Sequence, residues 1–182
     1  MPFCEIKLND ICFDPKVQTY CNNQKFRCPN YNNSWACPPE SPYMKEIVSQ
    51  FDKFFLIYFK FNLKEHLNGQ NLEIDKRSFS NSFYRNELVR DYLEKEIIDF
   101  LENYKEDYND KLILWDGYCR VCSKEGRKCT YYLKKPCRYP TDIRFSMEAV
   151  GIDVDKTVKN LDFALEWPPL NYVYRFGLVC FK

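Results

Sequence analysis

Glycine and histidine are the scarce residues in this chain: 182 positions hold five glycines and one histidine, His66. Five glycines leave little room for a Gly-rich phosphate loop or a dinucleotide fingerprint, and no Ser-His-Asp ordering or His-Glu-x-x-His helix is present. Ordinary hydrolytic or nucleotide-driven catalysis is therefore not expected. Long apolar runs are also missing. The longest strictly apolar stretch, Phe54 to Phe59, has six residues, against the ~20 that a membrane-crossing helix needs. Neither sign of charge dominates, with 27 Lys plus Arg against 26 Asp plus Glu and a formal charge of +1, so no global field draws the chain to nucleic acid or a membrane surface. The opening "MPFCEIKLND" lacks the basic-then-apolar pattern of a secretory leader, and a cytoplasmic location is expected.

What the chain has in abundance is cysteine. Ten are present, and most fall in two runs, "CNNQKFRCPNYNNSWACPPE" at 21–40 and "CRVCSKEGRKCTYYLKKPCRYP" at 119–140. A chain of this length buries roughly 70% of its unfolded surface and folds without crosslinks, so it reads as a single domain, 1–182, with cysteine-rich segments 4–40 and 119–140. In a reducing compartment clustered thiols mean metal or redox chemistry more often than disulfides. Crowded thiolates repel one another unless a cation or an iron–sulfur core collects their charge.

The candidate ligands are Cys21, Cys28 and Cys37 from the first run and Cys119, Cys122, Cys129 and Cys137 from the second. Cys12, near in sequence, is favoured over Cys4 to complete the first set; Cys180 sits in an alternating strand pattern and reads as a buried small hydrophobe. Only Cys119-x2-Cys122 is a tight zinc-type knuckle, and His66, in a polar loop, completes no mixed site. The wider gaps, together with prolines in Cys28-Pro29, Cys37-Pro38-Pro39 and Pro136-Cys137, favour one or two [4Fe-4S] clusters, with zinc as the alternative. The runs also repeat weakly: Cys21-x6-Cys28 matches Cys122-x6-Cys129, with a basic residue before and an aromatic three after the later cysteine. Arg120, Lys124, Arg127, Lys128, Lys134, Lys135 and Arg138 interleave with the second run and would offset cluster charge.

Outside the runs, Met44, Ile47, Val48 and Phe51 have helical spacing, and "KFFLIYFKF" suits a strand buried on both faces. A turn is expected at Asn68-Gly69. Val89, Leu93, Ile97, Leu101 and Tyr104 form the apolar stripe of a helix, with Asp91 and Lys95 paired on its solvated side. "KLILW" at 111–115 reads as a short strand, "IRFSMEAVG" as a short helix ended by Gly151, and Asp153 as an N-cap. Tyr172 to Cys180 alternates as a strand. The sum is an α/β (α+β) layered domain: a small mixed sheet, helices packed on it, and metal-binding loops at its edge.

The segments "CPNYNNSWACPPESP" and "GYCRVCSKEGRKCTYYLKKPCRYPTDIRFSMEAVGIDV" resemble the family of predicted metal-binding proteins designated domain of unknown function 2284, found in anaerobic archaea and bacteria. The resemblance covers nearly the whole chain. It implies metal ligation by Cys28 and Cys37 with Cys21, and by Cys119, Cys122, Cys129 and Cys137. The Ser146 to Ala149 segment also matches, read here as a short helix packing Met147 under the metal loop with Glu148 as a capping or Arg-pairing carboxylate. The expected function is electron transfer with a redox partner. The alternatives are an enzyme with an open iron acting as a Lewis acid, and a zinc-stabilised interaction module. Nucleic acid is not an expected partner, because most of the 32 aromatic residues fall on core stripes.

Overall fold

The computed structural model describes residues 2–23, 26–68, 87–166, 169 and 171–182. Its centre is a four-stranded sheet built from β1 (Phe3–Ile6), β4 (Lys53–Asn62), β5 (Lys111–Leu114) and β6 (Tyr172–Phe181), while β2 (Asn22–Asn23) and β3 (Phe26–Arg27) form a separate small hairpin. The strand order is β1-β4-β6-β5 with every pair antiparallel, and one parallel bridge, Trp115 to Ser146, extends the β5 edge. This is the expected mixed α/β class. The spine is the ten-residue ladder from Lys53 opposite Phe181 to Asn62 opposite Tyr172. β-Branched and aromatic residues on both strands make it, as their stiff side chains suit a pleated, buried surface.

Alternation assigns the two faces. Phe55, Ile57, Val179 and Phe181 point to one side, where they pack against Leu93, Ile97 and Phe100. Phe54, Leu56, Phe176, Leu178 and Cys180 point to the other, where the irregular segments around Met44, Met147, Val150, Ile152 and Val158 cover them. Cys180 is fully buried in that apolar cluster, as a small hydrophobe.

Of the helices, α1 (Lys45–Val48) is shorter than the spacing predicts, α2 (Leu63–Asn68) follows β4 directly, and α3 (Glu87–Asn103) is the long one. The turn expected at Asn68-Gly69 lies outside the described residues. The stripe of α3 is Val89, Leu93, Ile97 and Phe100, so Phe100 takes the buried place expected of Leu101. α4 (Val121–Lys124) opens the second cysteine run, and α5 (Val154–Lys159) is capped as expected by Asp153, whose carboxylate accepts the Lys156 N–H at 3.0 Å. Glu148–Val150 forms a single 3-10 turn ended by Gly151, with Met147 fully buried beneath it.

Two features tie α3 to the sheet and to the second cysteine run. The first is Gly177 on β6, where an added Cβ would stand 2.7 Å from the Ile97 side chain and 3.0 Å from the Leu114 carbonyl oxygen. Glycine here lets the helix close on the sheet. The second is charge. Glu94, 8% exposed, accepts from Arg120 at 2.7 Å and Arg144 at 2.6 Å and pairs with Lys124. One turn earlier, Arg90 donates to the carbonyls of Asp116 at 2.9 Å and Tyr118 at 2.7 Å and stacks on the Tyr118 ring. Asp91, still 56% exposed, reaches Arg120 at 2.6 Å rather than forming the expected pair with Lys95: the buried guanidinium it shares with Glu94 is the stronger partner.

Burial alone would raise the Glu94 pKa, but hydrogen bonds from Arg144 and Lys124 overcome it and hold the group at about 2 against an ordinary 4.5. Its stabilising contribution is complete above pH 4.5 and fades as pH falls towards 2. Urea-unfolding midpoints should therefore fall between pH 5 and pH 3, and Glu94→Gln, which cannot ionise, should flatten that part of the profile while lowering the midpoint at neutral pH. Gly177→Ala should destabilise the fold by about 1–3 kcal/mol through overpacking, read as a lower urea midpoint with an unchanged m-value.

Candidate metal centre

The second cysteine run leaves β5 through Trp115 and is held by the Arg90 and Glu94 clamp. Past Cys122 the chain reverses: Gly126 N–H donates to the Ser123 carbonyl at 3.0 Å and Arg127 N–H to the Cys122 carbonyl at 2.9 Å. The six-residue gap is thus a loop that returns Cys129 to Cys122. A 3-10 turn, Thr130–Leu133, then carries the chain towards Cys137. The four thiols of Cys119, Cys122, Cys129 and Cys137 line one cavity, closed on one side by Tyr139 and Ile143. The Arg138 guanidinium lies 3.6 Å from the Cys122 sulfur, within range for a charge-assisted contact.

The first run does the same with a hairpin. β2 and β3 pair Asn22 with Arg27, and Cys28 N–H donates to the Cys21 carbonyl at 2.8 Å. The matching six-residue gaps are therefore two return loops, each bringing a pair of cysteines together. Beyond Cys28, Cys37 N–H donates to the Ser34 carbonyl and Asn32 N–H to the Pro38 carbonyl at 2.8 Å, folding the Cys-Pro-Pro step back on the loop.

The two runs meet. Trp35 donates its indole N–H to the Lys135 carbonyl at 3.0 Å and packs edge-on against Tyr131 with ring centroids 5.0 Å apart. Ser34, Trp35 and Ala36 supply the remaining wall of the second-run cavity. Trp35 and Tyr139 are thus part of the cavity wall, whereas Tyr118 lies under Arg90.

Electrostatics record the same grouping. Burial pushes the Cys37 thiol up to about 12, with further upward pressure from Cys28, Cys21 and Cys119. Burial likewise takes Cys21 to about 11, followed by Cys28 and then Glu148. Cys122 is raised by burial and partly relieved by Arg138. Without a cation the thiols oppose one another's ionisation, so a bound cation would displace their protons.

Of the other candidates, Cys12 stands with α5: its N–H donates to Thr157 Oγ1 at 3.0 Å and its sulfur accepts from the Asn160 amide at 3.4 Å. Cys4 lies on β1 against Leu56 and packs into the apolar cluster. The acidic group that acts on Cys21 is Glu148, which sequence reasoning treated as structural. Glu148 is deep yet partly accessible because it lines a cavity, and burial followed by Asp116 raises its pKa while Ser146 and Arg175 lower it. Nothing in the sequence marks its proximity to Cys21, because that depends on the Pro15–Cys21 turn packing on the Glu148–Val150 turn.

The donor set suits a thiophilic metal. All ten cysteines are unbridged, four of them share one cavity, and a cation lies beside a sulfur. Thr130, next to Cys129 and 7% exposed, has a hydroxyl without a hydrogen-bond partner among the described residues; acceptor atoms in the adjoining cavity would supply one. Among the described residues no three His, Cys, Asp or Glu side chains are drawn onto a single point as for one small ion, and no helix is long and apolar enough to cross a membrane.

No curated protein and no solved structure matches the chain. A family profile does, over residues 4–181, taking in both cysteine runs and the whole sheet apart from its first residue. The chain belongs to the predicted metal-binding protein family DUF2284.

Proposed function

We propose that this metal-binding protein carries iron–sulfur clusters, one in the cavity of Cys119, Cys122, Cys129 and Cys137 and a second at Cys21, Cys28 and Cys37, and relays electrons to a partner protein. The observation that carries the reading is the four-thiol cavity. Only Cys119-x2-Cys122 among its spacings is a zinc-type knuckle; the six- and seven-residue gaps to Cys129 and Cys137 are wider, and a larger inorganic core tolerates such spacing. When bound, a cluster supplies one-electron redox chemistry. The chain's own residues would hold it by the four sulfurs, offset its charge through Arg138, and exclude water with Trp35, Tyr139 and Ile143. Exposed Lys128, Lys134 and Lys135, with Tyr132 and Leu133 at 60% and 63% exposure, form a basic, apolar-tipped surface suited to an acidic redox partner in the cytoplasm.

A second reading, a cluster-dependent enzyme, is favoured at the first set by one observation: Cys12, expected to complete it, is engaged with Thr157 and Asn160 instead. Three thiolates leave an iron with an exchangeable position.

Protein purified without oxygen should be brown and contain about four iron and four acid-labile sulfide per occupied cluster. Cys122→Ser with Cys129→Ser should remove one cluster's worth of both while leaving the other, and Cys12→Ser should change neither content nor visible spectrum. A colourless chain holding zinc without sulfide would overturn the proposal in favour of a zinc-stabilised module.

A further inference from the structure

On the sheet face opposite α3, a cavity of about 230 Å3 opens between the start of β6, α5 and the Pro15–Cys21 turn. Its walls are aromatic and aliphatic: Tyr20, Tyr174 and Phe176 with Val17, Val154 and Leu165. Its carboxylates are Glu148, Asp153, Asp155 and Glu166, and no Lys, Arg or His lines it among the described residues. Three of the four are partly satisfied within the protein. Asp153 pairs with Lys156 at 3.0 Å, Asp155 with Lys159 at 2.7 Å, and Glu166 accepts the backbone and side-chain N–H groups of Asn171 at 2.8 and 2.7 Å. Glu148 is different. Ser146 hydrogen-bonds it, and Asp116 and Arg175 act on it in opposite directions.

We infer that this cavity binds a small organic ammonium ligand with an apolar body, its head group on the Glu148 carboxyl. Three observations converge. The fixed charges on the wall are all acidic, which repels anions and favours a cation. Glu148 lines the cavity, and the nearby cation Arg175 is already paired with Asp116 at 3.2 Å, so an ammonium would add a charge-assisted hydrogen bond. Aromatic faces attract cations, and the outer faces of this wall already do so: the Lys60 ammonium lies 4.0 Å from the Tyr172 ring centroid and 5.5 Å from that of Tyr174. The rest of the pocket is the mostly apolar surface, with few polar groups, that is usual for small-molecule sites. The cavity and its charge do not rest on the cluster reading above.

The test uses the full chain purified without oxygen and titrates phenethylamine, 3-phenylpropionate and 2-phenylethanol by calorimetry. Phenethylamine should bind, the carboxylate of similar shape should not, and the neutral alcohol should bind at least about tenfold more weakly than the amine. Glu148→Gln should cost about tenfold or more in amine affinity, and Val154→Trp, which fills the cavity from α5, should do the same without touching the carboxyl; circular dichroism shows that each variant folds. Equal binding of amine and carboxylate, no amine binding, or amine binding unchanged in both variants overturns the proposal. Iron and sulfide measured on the same samples separate the two readings. Amine binding through Glu148 in a chain without iron supports the pocket and removes the cluster; a shift in the cluster's visible absorption on adding amine supports both.

Discussion

One carboxylate, Glu94, organises the second cysteine run. It lies one turn after Arg90 on α3, and three cations from two parts of the chain, Arg120 and Lys124 in the second cysteine run and Arg144 beyond it, converge on it. Charges removed from water are costly unless each finds its partner, and deleting Glu94 or Arg120, the two buried members, leaves the other uncompensated. The network is therefore geometrically demanding: it is stable only if the chain after Cys119 lies where it does. Arg90 adds two hydrogen bonds to backbone carbonyls just before that point, and Gly177 brings the whole helix close enough for both to reach.

With that loop held, the thiols are crowded by architecture instead of by attraction. The hairpin at 21–28 and the return at 122–127 each fold a six-residue gap back on itself, and Trp35 docks the first run onto Lys135, 100 positions away. The resulting burial and mutual repulsion hold Cys37 and Cys21 far above the ordinary thiol range. Both are therefore protonated thiols at neutral pH, and a cation binding to them would release protons. The basic residues of the second run serve the same end, Arg138 at the sulfur and Arg120 and Lys124 at Glu94.

Glu148 links the parts. Its backbone belongs to the 3-10 turn that follows Met147 out of the core, its charge acts on Cys21, and its side chain lines the aromatic cavity. Glu148 thereby joins the Pro15–Cys21 turn, which packs on its own turn, to the cavity wall.

Local chemistry determined much of this from the sequence alone. The alternation of β6, the unbroken apolar run of β4, the stripe of α3, the Asp153 cap and the two cysteine runs are all set by residues within a few positions of one another. So is the metal-binding family, because its signature is local spacing. Tertiary structure alone decided which distant groups meet: that Asp91 abandons Lys95 for Arg120, that Cys12 goes to Asn160, and that Glu148 faces Cys21. The physical reason is range. Periodicity and capping are satisfied by neighbours along the chain, whereas a buried charge or thiol takes its partner from whatever segment the packing of the sheet, α3 and the covering turns delivers to it.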